Sequence, residues 1–98
     1  MNAIEGHGIY KWPDGRVYDG QWSDNKMSGR GKYIWPDGRK YVGGYTNDMK
    51  DGEGIFSWPD GRKFQGLWHN GVQHGTGWYT EPDGGKLKVY YQFGEQIN

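Results

Sequence analysis

The stretch that decides the fold is YIWPDGRKY, residues 33–41. It places short runs containing large rings on both sides of a Pro-Asp-Gly turn. Proline presets φ at the first turn position, and glycine adopts the left-handed conformation that closes a three-residue hairpin loop with a bulge. The stretch therefore predicts a β-hairpin, with Tyr33 and Trp35 on one face of its first strand.

This hairpin pattern recurs every 23 residues. The shared tetrapeptide Trp-Pro-Asp-Gly stands at residues 12–15, 35–38 and 58–61, and a variant, Glu-Pro-Asp-Gly, stands at 81–84. Gly-x-Gly pairs keep the same period, at residues 6–8, 29–31, 52–54 and 75–77. A fixed period of this length indicates stacked repeats, in which each copy packs on its neighbours.

The period divides one predicted domain, residues 1–98, into four units. Their bounds are about 6–28, 29–51, 52–74 and 75–98. Two strands in each unit predict an all-β fold, a meander of about eight short antiparallel strands in a single-layer, twisted sheet. The polar segment 46–51 is expected to connect one hairpin to the next. The last unit is degenerate, because Glu81 and Val89 replace a tryptophan and a glycine, and it is expected to be a cap.

Composition limits the classes of function. The chain has 12 basic and 12 acidic residues, so bulk charge gives no reason to expect nucleic acid as a partner. It has no cysteine, which excludes disulfides and thiolate metal sites. No motif predicts a metal or another cofactor. No run of about 20 apolar residues and no signal-peptide pattern is present, so a cytoplasmic location is expected.

Aromatic residues and glycines dominate the chain, with 6 Trp, 8 Tyr, 3 Phe and 19 Gly. Glycine within a strand leaves bare backbone on which a neighbouring ring can lie. We therefore expect the ring-and-glycine face to form a groove that binds a partner. The predicted lining is Tyr10, Trp12, Tyr18, Trp22, Tyr33, Trp35, Tyr41, Tyr45, Phe56, Trp58, Phe64 and Trp68. The alternative is that these rings are the core.

The opposite face is expected to be solvated. By period two it carries Lys11, Asp19, Gln21, Lys40, Ser57, Lys63 and Gln65. One arginine also follows each of the first three turns, at Arg16, Arg39 and Arg62. This row either contacts phosphates or acidic segments, or pairs with the turn residues Asp14, Asp37 and Asp60 and stacks on nearby rings.

A second motif identifies a family resemblance. Ring-x-Gly-x-ring occurs at residues 18–22, 41–45 and 64–68, each followed by Gly-x-Gly-x-ring. This pattern and its period resemble MORN repeats, named for membrane occupation and recognition nexus, over essentially the whole chain. The resemblance implies serial β-hairpins in an elongated sheet. It also implies scaffolding or targeting roles, since such repeats occur in junctional membrane proteins, lipid kinases, a lysine methyltransferase, ciliary radial-spoke proteins and protist cytoskeletal scaffolds.

Catalysis is not expected from this chain. The Gly-x-Gly pairs lack the third glycine of a dinucleotide loop, and no serine has a base at a motif spacing. The three histidines have no metal-ligand spacing and are expected at the surface.

Several non-catalytic functions remain open. The first is a scaffold or adaptor that binds a peptide or helix in the ring-lined groove, within a cytoskeletal, ciliary or membrane-junction assembly. The second is a peripheral module that binds phosphoinositides or other anionic lipids through the arginine row. The third is a regulatory or targeting fragment of a larger enzyme such as a lipid kinase. A cage for cationic ligands is a further hypothesis, although the Pro-Asp-Gly turns count against it. Open sheet edges also predict self-association or a larger assembly.

Overall fold

The computed structural model describes residues 4–97. They form one antiparallel sheet of nine strands in chain order. The strands are β1 (Gly6–Lys11), β2 (Val17–Ser23), β3 (Lys26–Ile34), β4 (Lys40–Thr46), β5 (Met49–Ser57), β6 (Lys63–His69), β7 (Val72–Thr80), β8 (Lys86–Gln92) and β9 (Glu95–Gln96). The sheet is elongated, measuring 48 × 25 × 18 Å. The predicted all-β hairpin array is confirmed, with a short ninth strand added. Residues 4–97 contain no helix long and apolar enough to cross a membrane.

The Pro-Asp-Gly turns form the predicted three-residue hairpin loops. The Trp35 and Arg39 backbones are joined by a 3.0 Å hydrogen bond, and the Gly38 N–H donates to the Trp35 carbonyl at 3.0 Å. Gly38 has a φ of 96°, as the bulge position requires. The same backbone pattern closes the turn from Glu81 to Gly85, so losing the tryptophan does not change the turn.

The connections between these hairpins are shorter than predicted. In the segment 46–51, strands β4 and β5 take up all residues except Asn47 and Asp48. These two have φ values of 49° and 69°, as a two-residue type I′ turn requires. Turns of the same length occur at 24–25, 70–71 and 93–94. Asparagine, aspartate and glycine suit these positions because they adopt positive φ at low cost.

The two glycines of each Gly-x-Gly pair have different roles within a strand. In β3, Gly29 has a φ of 95°, and it lies where the register between β2 and β3 shifts at a β-bulge. Gly31 pairs with a glycine on each side instead, Gly20 and Gly43. The pair therefore lies inside a long bulged strand rather than between hairpins.

The second glycines of these pairs and the central glycines of the ring-x-Gly-x-ring motifs pair directly in register, and together they form a continuous row across the sheet. The row is Gly8, Gly20, Gly31, Gly43, Gly54, Gly66 and Gly77, and it ends at Val89 in β8. A Cβ added at Gly31 would overlap the ring of Tyr18, and one at Gly54 would overlap that of Tyr41. The row is thus the seat on which core rings lie.

The core consists of rings on one face of this single sheet. The buried hydrophobic residues are Tyr18, Trp22, Met27, Tyr33, Tyr41, Tyr45, Phe64, Trp68 and Val89. Edge-to-face pairs link successive units, with ring centroids 5.3 Å apart for Tyr18 and Tyr45 and 5.4 Å apart for Tyr41 and Trp68. In the last unit, Tyr91 packs on Phe64 in the same way, at 5.4 Å.

Candidate functional site

Most rings predicted to line a groove form the core instead. Tyr18 and Tyr41 have no exposed surface, and Phe64 is 1% exposed. The predicted lining residues that are buried are Tyr18, Trp22, Tyr33, Tyr41, Tyr45, Phe64 and Trp68. A single-layer sheet has no second layer to cover its apolar face, so the rings cover one another. The alternative interpretation of these residues as core is the correct one for this set.

The other five predicted rings keep part of their surface exposed. Trp12, Trp35, Phe56 and Trp58 are half-buried against the core, and Tyr10 is 44% exposed. They join the buried rings in a chain of contacts, with centroid distances of 4.8 Å for Tyr10 and Trp12 and 5.4 Å for Trp12 and Tyr33.

An open cavity remains on the ring face beside the first unit. Its volume is about 370 Å³, and we name it the first-unit pocket. The lining residues are Ile4, Tyr10, Trp12, Arg16, Trp22, Asn25, Met27, Tyr33 and Asp48. Four of the predicted groove rings, Tyr10, Trp12, Trp22 and Tyr33, therefore converge on one accessible site at this end of the sheet.

In the second unit, a lysine lies among the rings. The Lys50 ammonium is 5.6 Å from the ring centre of Trp35 and 5.5 Å from those of Tyr41 and Trp68, within the range of cation–π attraction. Burial lowers the pKa of Lys50, and the nearby charge of Arg39 lowers it further. Sequence analysis did not identify Lys50. The available signal was a cation at a repeat position held by apolar Met27 one unit earlier.

The arginine row is paired with the turn carboxylates. The Nε atoms lie 2.8, 2.7 and 2.8 Å from Asp14, Asp37 and Asp60 for Arg16, Arg39 and Arg62, respectively. Each guanidinium also stacks over the tryptophan that precedes its turn, at 5.0, 5.3 and 5.0 Å. The pairing and stacking alternative is therefore confirmed. Contact of this row with an anion or a lipid stays a prediction.

Two of these turns stabilise the ionised form of their aspartates, Asp37 and Asp60. The Arg39 backbone N–H donates to the Asp37 carboxylate at 3.0 Å, and this bond, together with the Arg39 guanidinium, lowers the pKa of Asp37. The Asp60 carboxylate accepts the equivalent bond from Arg62, and its pKa is also lowered.

The opposite face, which the sequence predicts to be solvated, carries an open cleft that was not predicted. A cavity of about 480 Å³ continues into one of about 630 Å³, and the two share Ile55, Gln65 and Trp78. We call the whole surface the Trp78 cleft. The 480 Å³ cavity is lined by the side chains of Arg30, Val42, Glu53, Ile55, Gln65, Leu67, Thr76 and Trp78.

Several apolar side chains in this cleft face solvent. Trp78 is 49% exposed, Leu67 is 44% exposed and Ile55 is 39% exposed. Trp78 escaped the sequence analysis because it lies outside the repeated ring register. The signal was present: Trp78 and Tyr79 are adjacent, and neighbouring residues in a strand point to opposite faces.

Histidines and carboxylates form only simple pairs at the surface. His7 Nε2 lies 2.7 Å from Asp19, and His69 Nδ1 lies 3.4 Å from Asp51. Within residues 4–97, no group of three or more histidine, aspartate or glutamate side chains could hold a metal ion.

These features define a class of protein: a linear array of β-hairpins whose two faces are a ring-filled core and an open, mixed surface. The family model for the MORN repeat matches residues 1–15, 18–38, 41–61 and 64–86. The chain belongs to the MORN-repeat family. A comparison with curated protein sequences found no match. MORN repeats are typically non-catalytic modules that take part in protein or membrane-lipid interactions.

Proposed function

We propose that this chain is a non-catalytic scaffold or adaptor module that binds a protein segment along the Trp78 cleft. The observation that carries the proposal is the half-exposed indole of Trp78 at the junction of two continuous cavities. Tryptophan is enriched at interface hot spots, because it buries a large apolar area with few rotatable bonds.

The residues around Trp78 indicate the chemistry of the partner. Ile55 and Leu67 offer apolar contacts, and charges of both signs line the cleft. The basic residues are Arg30, Lys63 and Lys86, and the acidic residues are Glu53 and Glu81. A polypeptide with apolar side chains and both signs of charge complements this arrangement.

The proposed partner is a protein segment, as predicted from the sequence, but the proposed surface is the Trp78 cleft instead of the ring-lined groove. The ring face is largely occupied by the core, so the partner contacts the other side of the sheet. The arginine row supports the lipid alternative less well, because each guanidinium is already paired with a carboxylate. Cytoskeletal, ciliary or membrane-junction assemblies, and a cytoplasmic location, stay predictions from the sequence and the family resemblance.

A site-directed crosslink tests the proposal. A photoreactive amino acid placed at Gln65, within the cleft, is expected to capture a partner in the cell of origin, whereas one at Lys11, an exposed residue of β1 away from the cleft, is not. The captured protein is then purified, and its Kd is measured. Trp78→Ala is expected to raise that Kd at least about tenfold, as loss of an interface hot spot does.

Ile9→Ala is the matched control, because Ile9 occupies the repeat position of Trp78 in the first unit and is 60% exposed. An unchanged Kd for Trp78→Ala would overturn the proposed surface. Flotation with phosphoinositide vesicles at about 0.15 M salt, lost on changing Arg16, Arg39 and Arg62 together to glutamine, would support the lipid alternative instead.

A further inference from the structure

The first-unit pocket has the chemistry of a cation site. We propose that it binds an organic ammonium group, either a lysine-type primary ammonium or an N-methylated one. Four rings line it: Tyr10 from β1, Trp12 directly after β1, Trp22 from β2 and Tyr33 from β3. The volume, about 370 Å³, is sufficient for such a group. Ring faces attract cations most strongly when water is displaced from between them.

The chain itself shows this recognition one unit further on. There the ammonium of Lys50 lies within 5.6 Å of the ring centres of Trp35, Tyr41 and Trp68. Residue 50 aligns with residue 27 by the 23-residue period, and Met27 lines the first-unit pocket. Trp12 is the repeat equivalent of Trp35, so the pocket shares one of the three rings around the Lys50 ammonium, and it has Met27 at the position equivalent to Lys50.

The charges around the pocket are compatible with a cation. Asp48 lines it and carries a carboxylate, one oxygen of which accepts a 2.7 Å hydrogen bond from the Met27 N–H. Arg16 also lines it; its guanidinium stacks over Trp12 at 5.0 Å and donates to the Tyr33 hydroxyl at 3.0 Å, and Asp14, 2.8 Å away, offsets its charge. The Lys50 ammonium is likewise held near an arginine, Arg39, that is paired with its own aspartate.

An NMR titration tests the proposal. The probes are choline, its neutral isostere 3,3-dimethylbutan-1-ol, and Nα-acetyl-lysine methylamide with and without three Nε-methyl groups. Choline is expected to produce saturable shifts in Tyr10, Trp12 and Trp22, with a Kd in the millimolar range and at least about tenfold below that of the isostere. Comparing the two lysine compounds shows whether the site prefers a primary or a methylated ammonium.

Two variants keep the test independent of any single substitution. Tyr10→Ala removes an exposed wall and is expected to weaken binding at least about fivefold. Met27→Lys supplies an ammonium in cis, as Lys50 does, and is expected to abolish binding. Trp78→Ala, on the other face, should leave it unchanged. Equal binding of choline and its isostere, no saturable shift up to about 50 mM, or wild-type binding by a folded Tyr10→Ala protein would overturn the proposal.

Discussion

The phenol ring of Tyr18 lies directly on the backbone of Gly31, in the neighbouring strand. The ring has no exposed surface, and its hydroxyl donates a 2.9 Å hydrogen bond to the Gln21 carbonyl. Tyr41 repeats the arrangement on Gly54 and donates to the Gly44 carbonyl at 3.0 Å. In this single-layer sheet, a missing side chain in one strand makes the space that buries a ring from the next.

Gly31→Ala is therefore expected to destabilise the fold. Its Cβ would overlap the ring of Tyr18, which the glycine row and the bonded hydroxyl both hold in place. Overpacking of this kind costs about 1–3 kcal/mol of unfolding free energy. Urea denaturation followed by tryptophan fluorescence measures the loss.

Gly8→Ala provides the matched control in the same glycine row. A Cβ there would meet Trp22 Nε1 at 3.2 Å, which is a tight contact rather than an overlap. We expect a clearly smaller loss of stability. Equal losses for the two variants would show that strand propensity, and not the ring seat, explains the glycines.

Local turn chemistry explains why the fold could be predicted from the sequence. Proline fixes φ at the start of the turn and glycine permits the positive φ at its end, whatever the surrounding structure, and the 23-residue period repeats this turn along the chain. The two-residue turns were harder to identify. Asn47 and Asp48 are common in many kinds of loop, and only strand pairing on both sides shows that they form a type I′ turn.

The candidate site could be predicted only in part. Period two correctly placed the rings on one face, but it cannot tell whether a face is open or filled. Whether the face is filled depends on how closely rings such as Tyr41 pack onto glycines such as Gly54, and this packing is between neighbouring units. Trp78 lies at a repeat position that holds Lys32 and Ile55 in other units, so the repeat pattern does not predict an aromatic residue there.

Asp48→Gly is expected to loosen a clamp between successive type I′ turns. The Asp48 carboxylate accepts a 2.7 Å bond from the Met27 N–H, while the Asp48 N–H donates to the Met27 carbonyl at 3.0 Å. Glycine keeps the positive φ and the backbone bond but loses the carboxylate. Hydrogen exchange of the Met27 amide should accelerate at least about tenfold.

The Asp48→Asn variant distinguishes the effect of the side-chain hydrogen bond to Met27 from the effect of turn propensity. Asn25 makes the same contact with Ile4 at 2.7 Å, so Asp48→Asn should leave exchange at Met27 nearly unchanged. Gly71 holds the equivalent place in the third unit, and Gly71→Asn should slow exchange at Lys50. Slow exchange at Met27 in Asp48→Gly would contradict the clamp.

Phe56→Tyr is expected to add a contact between units. Arg16 donates a 3.0 Å hydrogen bond to the Tyr33 hydroxyl, whereas Arg39 has Phe56 at the corresponding place. A hydroxyl there gives Arg39 the missing acceptor. The midpoint of thermal unfolding should rise by about 1–3 °C, and Tyr33→Phe should lower it by a similar amount. If Phe56→Tyr and Tyr33→Phe shifted the midpoint of thermal unfolding by equal amounts in the same direction, ring packing and not the hydroxyl would determine the effect.

The buried tyrosines are expected to make the fold sensitive to alkaline pH. Burial raises the pKa of Tyr18 and that of Tyr41 from 10.0 to about 12. The folded state therefore keeps protons that the unfolded state loses, so the stabilisation is complete below pH 10 and is lost as the pH rises towards 12.

Phenylalanine fits the site of these tyrosine rings, as Phe64 shows at the same repeat position. Tyr18→Phe with Tyr41→Phe should lower stability at neutral pH by about 1–3 kcal/mol through two lost hydrogen bonds. The same double variant should make the fall in unfolding free energy between pH 10 and 12 shallower, and the remaining fall is expected from Tyr45, whose pKa burial also raises. Urea denaturation at each pH measures it. A wild-type slope in this variant would show that other groups control the alkaline transition.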